Sequence, residues 1–180
     1  ASLQIGAFGT GTVSLNNLTV NGIYNPSVTT LTGTTHLHLA NCTFNSPFNQ
    51  ILPRITCGTG NQFNEAFFID VTGDLPSSIS GAFNYSFALR NIVRSGTGTL
   101  TLESNNFQSY LAVTNNNNSG SIVGKGNEVY SRVDVFNYAD SPVDLAYEGG
   151  TTTFSNQVLL VNTQNGTISI GLGGGTATLQ

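Results

Sequence analysis

The sequence predicts an all-β fold, a single-stack parallel β-helix of about eight coils of 19–25 residues. Three observations predict it. The first is a phrase said three times: Phe44-Asn45-Ser46-Pro47-Phe48, Phe63-Asn64-Glu65-Ala66-Phe67 and Phe83-Asn84-Tyr85-Ser86-Phe87, at steps of 19 and 20 residues. Self-similarity at a fixed period near 20 is the mark of stacked supersecondary units. The second is composition. Charged residues are 8 % of the 180, far below the usual quarter, and Gly, Asn, Thr and Ser stand in their place. Those residues suit strands and tight corners, whereas amphipathic helices need charged or polar helix formers on the outer face. The third is alternation of apolar and polar residues, as in Leu37-His38-Leu39, Leu100-Thr101-Leu102 and Ile168-Ser169-Ile170, the period of a strand with one buried face. No window keeps helical spacing for three turns, which excludes an α/β fold. A sandwich would not repeat one phrase at a fixed period.

Taken in order, residues 1–15 fit the repeat poorly, and Leu3, Ile5 and Phe8 are expected to form a partial coil or an N-terminal cap. From there each coil splits into three runs and three corners. The alternating run, Leu18-Thr19-Val20 in the first coil and Leu37-His38-Leu39 in the next, leads to a corner rich in Asn and Gly, such as Asn21-Gly22, Ala40-Asn41 or Ser104-Asn105. Such residues tolerate left-handed backbone. The second run ends on an aromatic anchor. Stacked equivalents form a core ladder of Tyr24, Phe44, Phe63, Phe83, Phe107, Tyr130, Phe154 and Leu179. The third run reads Phe67-Phe68-Ile69-Asp70-Val71, Phe87-Ala88-Leu89, Leu111-Ala112-Val113, Val133-Asp134-Val135 and Val158-Leu159-Leu160-Val161. A variable third corner closes the coil, at Thr72-Gly73-Asp74 and Ser95-Gly96-Thr97-Gly98 among others. The whole of 1–180 is one domain, and its Ala1 start fits either a removed leader or a piece of a longer fibre or surface protein.

The stretch Leu37-His38-Leu39-Ala40-Asn41-Cys42-Thr43-Phe44-Asn45 resembles the repeat of right-handed parallel β-helix proteins: pectate lyase-like enzymes, phage tailspikes and other virion or cell-surface fibres. The resemblance spans residues 15–180. It implies a right-handed coil and, for function, a non-catalytic structural or adhesive fibre domain of a virion or cell surface. That domain would be extracellular and would bind a cell-surface glycan or host receptor. By the same analogy it would be a homotrimer. The alternative on this scaffold is a polysaccharide lyase or hydrolase.

The net charge of −4 and five scattered Lys and Arg argue against a nucleic-acid groove, and the longest apolar run is too short for a membrane-spanning helix. No cofactor or metal is expected. His36 and His38 point outward as a solvated pair, and two ligands do not make a zinc site. With Thr19, Thr56 and Thr101, His38 would form an outward, Thr-rich ladder. Cys42 and Cys57 sit at different offsets from their anchors and read as free, buried thiols.

For catalysis, glycoside hydrolysis needs two carboxylates about 5–9 Å apart. The best acidic cluster is Asp140, Asp144 and Glu148 around a longer corner, for which a solvated corner with turn-forming Asp is the simpler explanation. For ligand binding, Asp70 and Arg90 lie seven residues after their anchors and Asp74 and Arg94 eleven after, which would stack them as two outward ion pairs. Tyr85 stands where Glu65 stands one coil earlier. An exposed ring beside charged groups suits a saccharide, so Tyr85, Arg90, Arg94, Asp70 and Asp74 form the expected binding groove.

Overall fold

A computed structural model describes residues 8–21, 29–30, 32–33, 35–84, 90–146, 151–170 and 176–179. The described residues contain strands and corners and no helix, and the strands stack in parallel as a β-solenoid. The first sheet holds Thr12–Asn16, His36–Ala40, Arg54–Cys57, Ser77–Ser80, Thr99–Glu103, Ser121–Lys125, Val143–Asp144 and Ile168–Ser169. The second holds Thr19–Val20, Thr43–Phe44, Gln62–Phe63, Phe83–Asn84, Asn106–Phe107, Glu128–Val129, Thr151–Phe154 and Thr176–Leu179. The third holds Thr29–Thr30, Phe48–Leu52, Phe67–Val71, Arg90–Arg94, Leu111–Asn115, Val133–Asn137 and Val158–Asn162. Sheets of eight, seven and eight strands stand close to the eight coils expected. A short extra pair joins Phe8–Gly9 to Thr32–Gly33.

Alternation along most of the early strands puts one face inside. His36–Ala40 buries Leu37 and Leu39 completely and leaves His36 and His38 half-exposed, as expected. The aromatic repeat fills the early core. Phe44 and Phe63 stack with centroids 5.2 Å apart and planes 3° from parallel, and Phe48 and Phe67 stack at 5.8 Å. Phe48 also meets Phe63 edge-on at 5.4 Å. Such pairs add about 0.5–1.5 kcal/mol each beyond the area they bury. Cys42 and Cys57 are free and buried, and burial pushes the Cys57 thiol up to about 12.

The first corner is made the same way on six coils. One residue takes left-handed backbone: Asn17, Asn41 and Ser104 at φ 53°, and Gly60, Gly81 and Gly126 at φ 59–78°. The next residue turns inward, and on three coils it is a buried asparagine. Asn61 accepts from the Cys42 amide at 3.0 Å and donates to the Gly58 carbonyl at 2.6 Å. Asn105 accepts from the Ala82 amide at 3.1 Å and donates to the Ile79 carbonyl at 2.8 Å. Asn127 accepts from the Asn105 amide at 3.1 Å and donates to the Leu102 carbonyl at 2.8 Å. Each amide supplies partners to backbone groups that the sharp bend leaves unpaired.

The ladder of anchors needs four corrections. Tyr24 lies outside the described residues, and Val20 is the residue level with Phe44. Phe83 is one place early, level with Gln62 and Asn106, so that Asn84 is level with Phe107. Val129, not Tyr130, stands between Phe107 and Phe154. Leu179 is in register with Phe154 but is 67 % exposed on the terminal coil. The first coil also begins one strand earlier than the repeat predicts. Thr12–Asn16, within the expected irregular segment, is a strand paired with His36–Ala40, so Ser14 rather than Thr19 stands level with His38. Thr19 belongs to the second sheet.

The third corner lengthens from one residue, Pro53, to four or five in later coils. Its close packing falls on glycine: a Cβ on Gly96 would strike the Gly73 carbonyl and the Thr72 backbone, and one on Gly120 would strike the Gly96 carbonyl. Backbone atoms cannot swing aside as a side-chain tip can. Gly96→Ala is therefore expected to cost about 1–3 kcal/mol through overpacking, read as a lower urea midpoint at unchanged m-value. An unchanged midpoint would contradict the stacked corner.

Candidate functional site

The register does not stack the expected pairs of Asp and Arg. Asp70 is level with Ile51 and Val93, while Arg90 is level with Phe67 and Leu111. The cause is length: Gln62 to Phe67 takes five residue steps and Phe83 to Arg90 takes seven, and equal offsets from the anchors cease to mean equal heights. Tyr85 lies outside the described residues, as do Phe87-Ala88-Leu89, and the third-sheet strand there is Arg90–Arg94. A stacked surface ion pair does occur, between Glu103 and Lys125, level neighbours 3.8 Å apart.

Arg94 points into the third corner and is 0 % exposed. Its guanidinium donates to the carbonyls of Val71, Gly73 and Gly98, each at 2.6 Å. It continues the inward file in which Asn115, Asn137 and Asn162 stand one coil further each. Asn115 donates to the Gly120 carbonyl at 3.0 Å and Asn137 to the Ser141 carbonyl at 3.1 Å. As the third corner lengthens, these side chains reach across it and bind its carbonyls. Burial draws the Arg94 pKa down, and the charges of Asp74 and Asp70 pull it back. Asp74 is exposed and accepts from the Thr97 hydroxyl at 2.7 Å. Burial raises the Asp70 carboxyl, partly offset by hydrogen bonds from Ser95 and by Arg94. Arg94 thus belongs to the frame and offers nothing to a ligand.

The acidic cluster also separates. Asp140 is exposed in the third corner and accepts from the Asn165 amide at 3.2 Å. Asp144 sits in the first sheet, is 2 % exposed, and accepts from the Ala146 amide at 3.0 Å. A carboxylate so covered cannot meet a polysaccharide. Glu148 lies outside the described residues. The interior void lined by Leu102, Phe107, Val129, Leu145 and Phe154, where the smaller Val129 stands in the aromatic file, is apolar and holds about 20 Å³. That is room for little more than one water.

A different constellation does converge, at the second corner of two adjacent coils. Phe107 is level with Val129 and Leu111 with Val133, so the intervening residues run level too. That sets Gln108 beside Tyr130 and Tyr110 beside Arg132. The Tyr110 hydroxyl donates to Asp134 Oδ2 at 2.8 Å. Arg132 grips the same carboxylate with Nε to Oδ1 at 2.6 Å and Nη2 to Oδ2 at 2.9 Å. The Tyr130 hydroxyl donates to Glu128 Oε2 at 2.9 Å, and Asn106 Nδ2 donates to the same oxygen at 3.0 Å. Gln108 donates to the Asn106 carbonyl oxygen, completing the row. Tyr130 is 47 % exposed, and the Arg132 side chain 48 %. Burial alone would raise the Asp134 carboxyl, but the hydrogen bonds from Arg132 and Tyr110, with the Arg132 charge, hold it below the usual range. The bond to Glu128 raises the Tyr130 phenol. Two aromatic rings are thus fixed by their hydroxyls among amides, carboxylates and a guanidinium. Aligning Val129 rather than Tyr130 with Phe107 would have exposed this group in the sequence.

Comparison with protein-family models, with curated proteins and with solved structures found no match for the chain.

Two outcomes follow from these contacts. Arg94→Leu strands three carbonyls and should lower stability by on the order of 3 kcal/mol in urea titration, whereas Arg132→Ala at the surface should cost under about 1 kcal/mol. For Asp134, whose folded pKa is depressed, the carboxylate's stabilisation is full above the unfolded value near 3.9 and disappears as pH falls through the lower folded value. The difference in melting temperature between the parent and Asp134→Asn should therefore be constant at neutral pH and narrow below about pH 4. A difference independent of pH would contradict the assigned contacts.

Proposed function

We propose that this chain is a non-catalytic, glycan-binding domain of a virion or cell-surface fibre, extracellular in setting. The observation that carries the reading is the exposed Tyr130 and Arg132, set on a rigid corner beside Glu128, Asp134, Asn106 and Gln108. A sugar offers an apolar face for an aromatic ring and hydroxyls that need donors and acceptors in fixed places. Here the phenol bond to Glu128 orients the ring of Tyr130, and the amide row supplies both donors and acceptors. The two carboxylates and single guanidinium favour neutral saccharides over acidic ones, because a uronate would face Glu128 and Asp134. The backbone on both sides is tied to neighbouring coils, through the Tyr130 amide to the Phe107 carbonyl at 3.0 Å and the Leu111 amide to the Arg132 carbonyl at 3.0 Å. Little ordering is then left for the ligand to drive.

On a panel of neutral and acidic glycans, the parent chain should bind a neutral subset. Tyr130→Ala and Arg132→Ala should each weaken that binding tenfold or more, with melting temperatures within a few degrees of the parent. Binding untouched by both changes would remove the site. Release of reducing or unsaturated sugar ends from any glycan would replace the reading with a catalytic one.

A further inference from the structure

Charge is divided unevenly along this stack. All nine acidic residues lie at Glu65 or beyond it, and so do the other Lys and Arg. The side chains before Glu65 that can carry charge are His36, His38 and Arg54. These three share one outward face of the first sheet. His36 and His38 stand two apart on one strand, and Arg54 is level with His36 on the next. Thr56 is level with His38 on that side, and Thr12 and Ser14 are level with the two histidines on the other. The strands Thr12–Asn16, His36–Ala40, Arg54–Cys57 and Ser77–Ser80 carry no carboxylate. The adjoining third corner adds Asp74, which accepts from the Thr97 hydroxyl at 2.7 Å. The ion pairs among the described residues are Glu103 with Lys125 and Asp134 with Arg132, so Arg54 has no carboxylate partner there.

We propose that this face binds a sulfate group, free or esterified on a saccharide, when the two histidines are protonated. The rings of His36 and His38 stand 6.3 Å apart at 68°, a separation that one tetrahedral oxyanion bridges with charge-assisted bonds to both. Arg54 Nε donates to the Pro76 carbonyl at 3.0 Å, which anchors the guanidinium and leaves its two Nη groups for a ligand. His36 Nε2 and Thr56 Oγ1 are 2.8 Å apart. A protonated His36 must donate in that pair, so the Thr56 hydroxyl is freed to donate elsewhere. Thr12 and Ser14 are exposed and add two further hydroxyls. Burial, the Arg54 charge and His38 hold the His36 imidazole below its ordinary value. A bound anion offsets the two charges, so binding takes up protons, and protonation tightens binding by the same factor. Sulfate suits this coupling better than phosphate. It keeps its full charge on the acid side of neutrality, where phosphate gains a proton.

The test is a titration with sodium sulfate at low ionic strength, read by NMR of the two histidine rings and by calorimetry. Sodium chloride at matched ionic strength is the reference. At about pH 5.5 the His36 and His38 resonances should shift saturably, and at about pH 8 the affinity should be at least about tenfold weaker. Sulfate should move the His36 titration midpoint upward, and chloride should not. Arg54→Gln should weaken the acid-pH affinity about tenfold, and His38→Gln should flatten its dependence on pH, both with the circular dichroism of the parent. Equal affinity at the two pH values overturns the proposal. So do shifts that chloride reproduces, or binding that Arg54→Gln leaves intact. A sulfated saccharide that binds more tightly than inorganic sulfate, while its unsulfated parent does not bind this face, identifies the esterified group as the ligand. Equal binding of the two sulfates identifies the free anion. Tyr130→Ala should leave sulfate binding unchanged, because Tyr130 stands on a different corner of a later coil. Failure here and failure of the neutral-glycan site are therefore read apart.

Discussion

Every coil in this chain must satisfy its backbone on the coils above and below it, at the fixed spacing of adjacent strands. Nearly everything else follows from that repeat. A side chain that faces inward meets its equivalent, so like stacks on like: Phe44 on Phe63, Phe48 on Phe67, Asn105 on Asn127 and Asn115 on Asn137. A bend must fall at the same height in each coil, so one left-handed residue recurs at the first corner. Where carbonyls turn inward at the lengthened third corner, a buried amide or guanidinium answers them. The low charge content suits this arrangement, since equivalent ions stacked in a file would repel.

The architecture was legible because period and alternation are properties of many residues at once. The repeat phrase, the Asn and Gly corners and the Leu37/Leu39 alternation each reported the same coil. Heights were less legible. Counting from aromatic anchors assumes coils of constant length between anchor and strand, and two extra steps between Phe83 and Arg90 defeated it. The same counting put Tyr130 in the core, where the smaller Val129 sits, and so hid the exposed ring. Arg94 was misread for a deeper reason. Charge normally marks surface, and nothing local in Ile92-Val93-Arg94-Ser95-Gly96 tells that three carbonyls of other residues converge on its guanidinium. That is information about the folded corner, not about the strand.

The surface cluster and the buried amides use the same residue types in opposite ways. Asn105 and Asn127 spend their donors and acceptors on backbone and on each other, deep in the first corner. Asn106 and Glu128, one position later, direct theirs outward to Tyr130 and Gln108. A single residue step at a corner separates buried framework from exposed surface. The frame can stay constant while the outward step changes, which lets one scaffold serve many ligands.

The strand hydrogen bonds run along the stack axis, and the first and last coils lie at its two ends. Tension applied between the ends therefore loads those bonds in peeling, a coil at a time, and not in concerted shear. Each released coil of roughly 22 residues would pay out about 70–80 Å of extended chain. The rings of Phe44 and Phe48 on one coil interlock with those of Phe63 and Phe67 on the next, so this pair of coils is expected to separate after coils without such contacts. Under force such a stack is expected to extend stepwise, with its stiffest segment near one end.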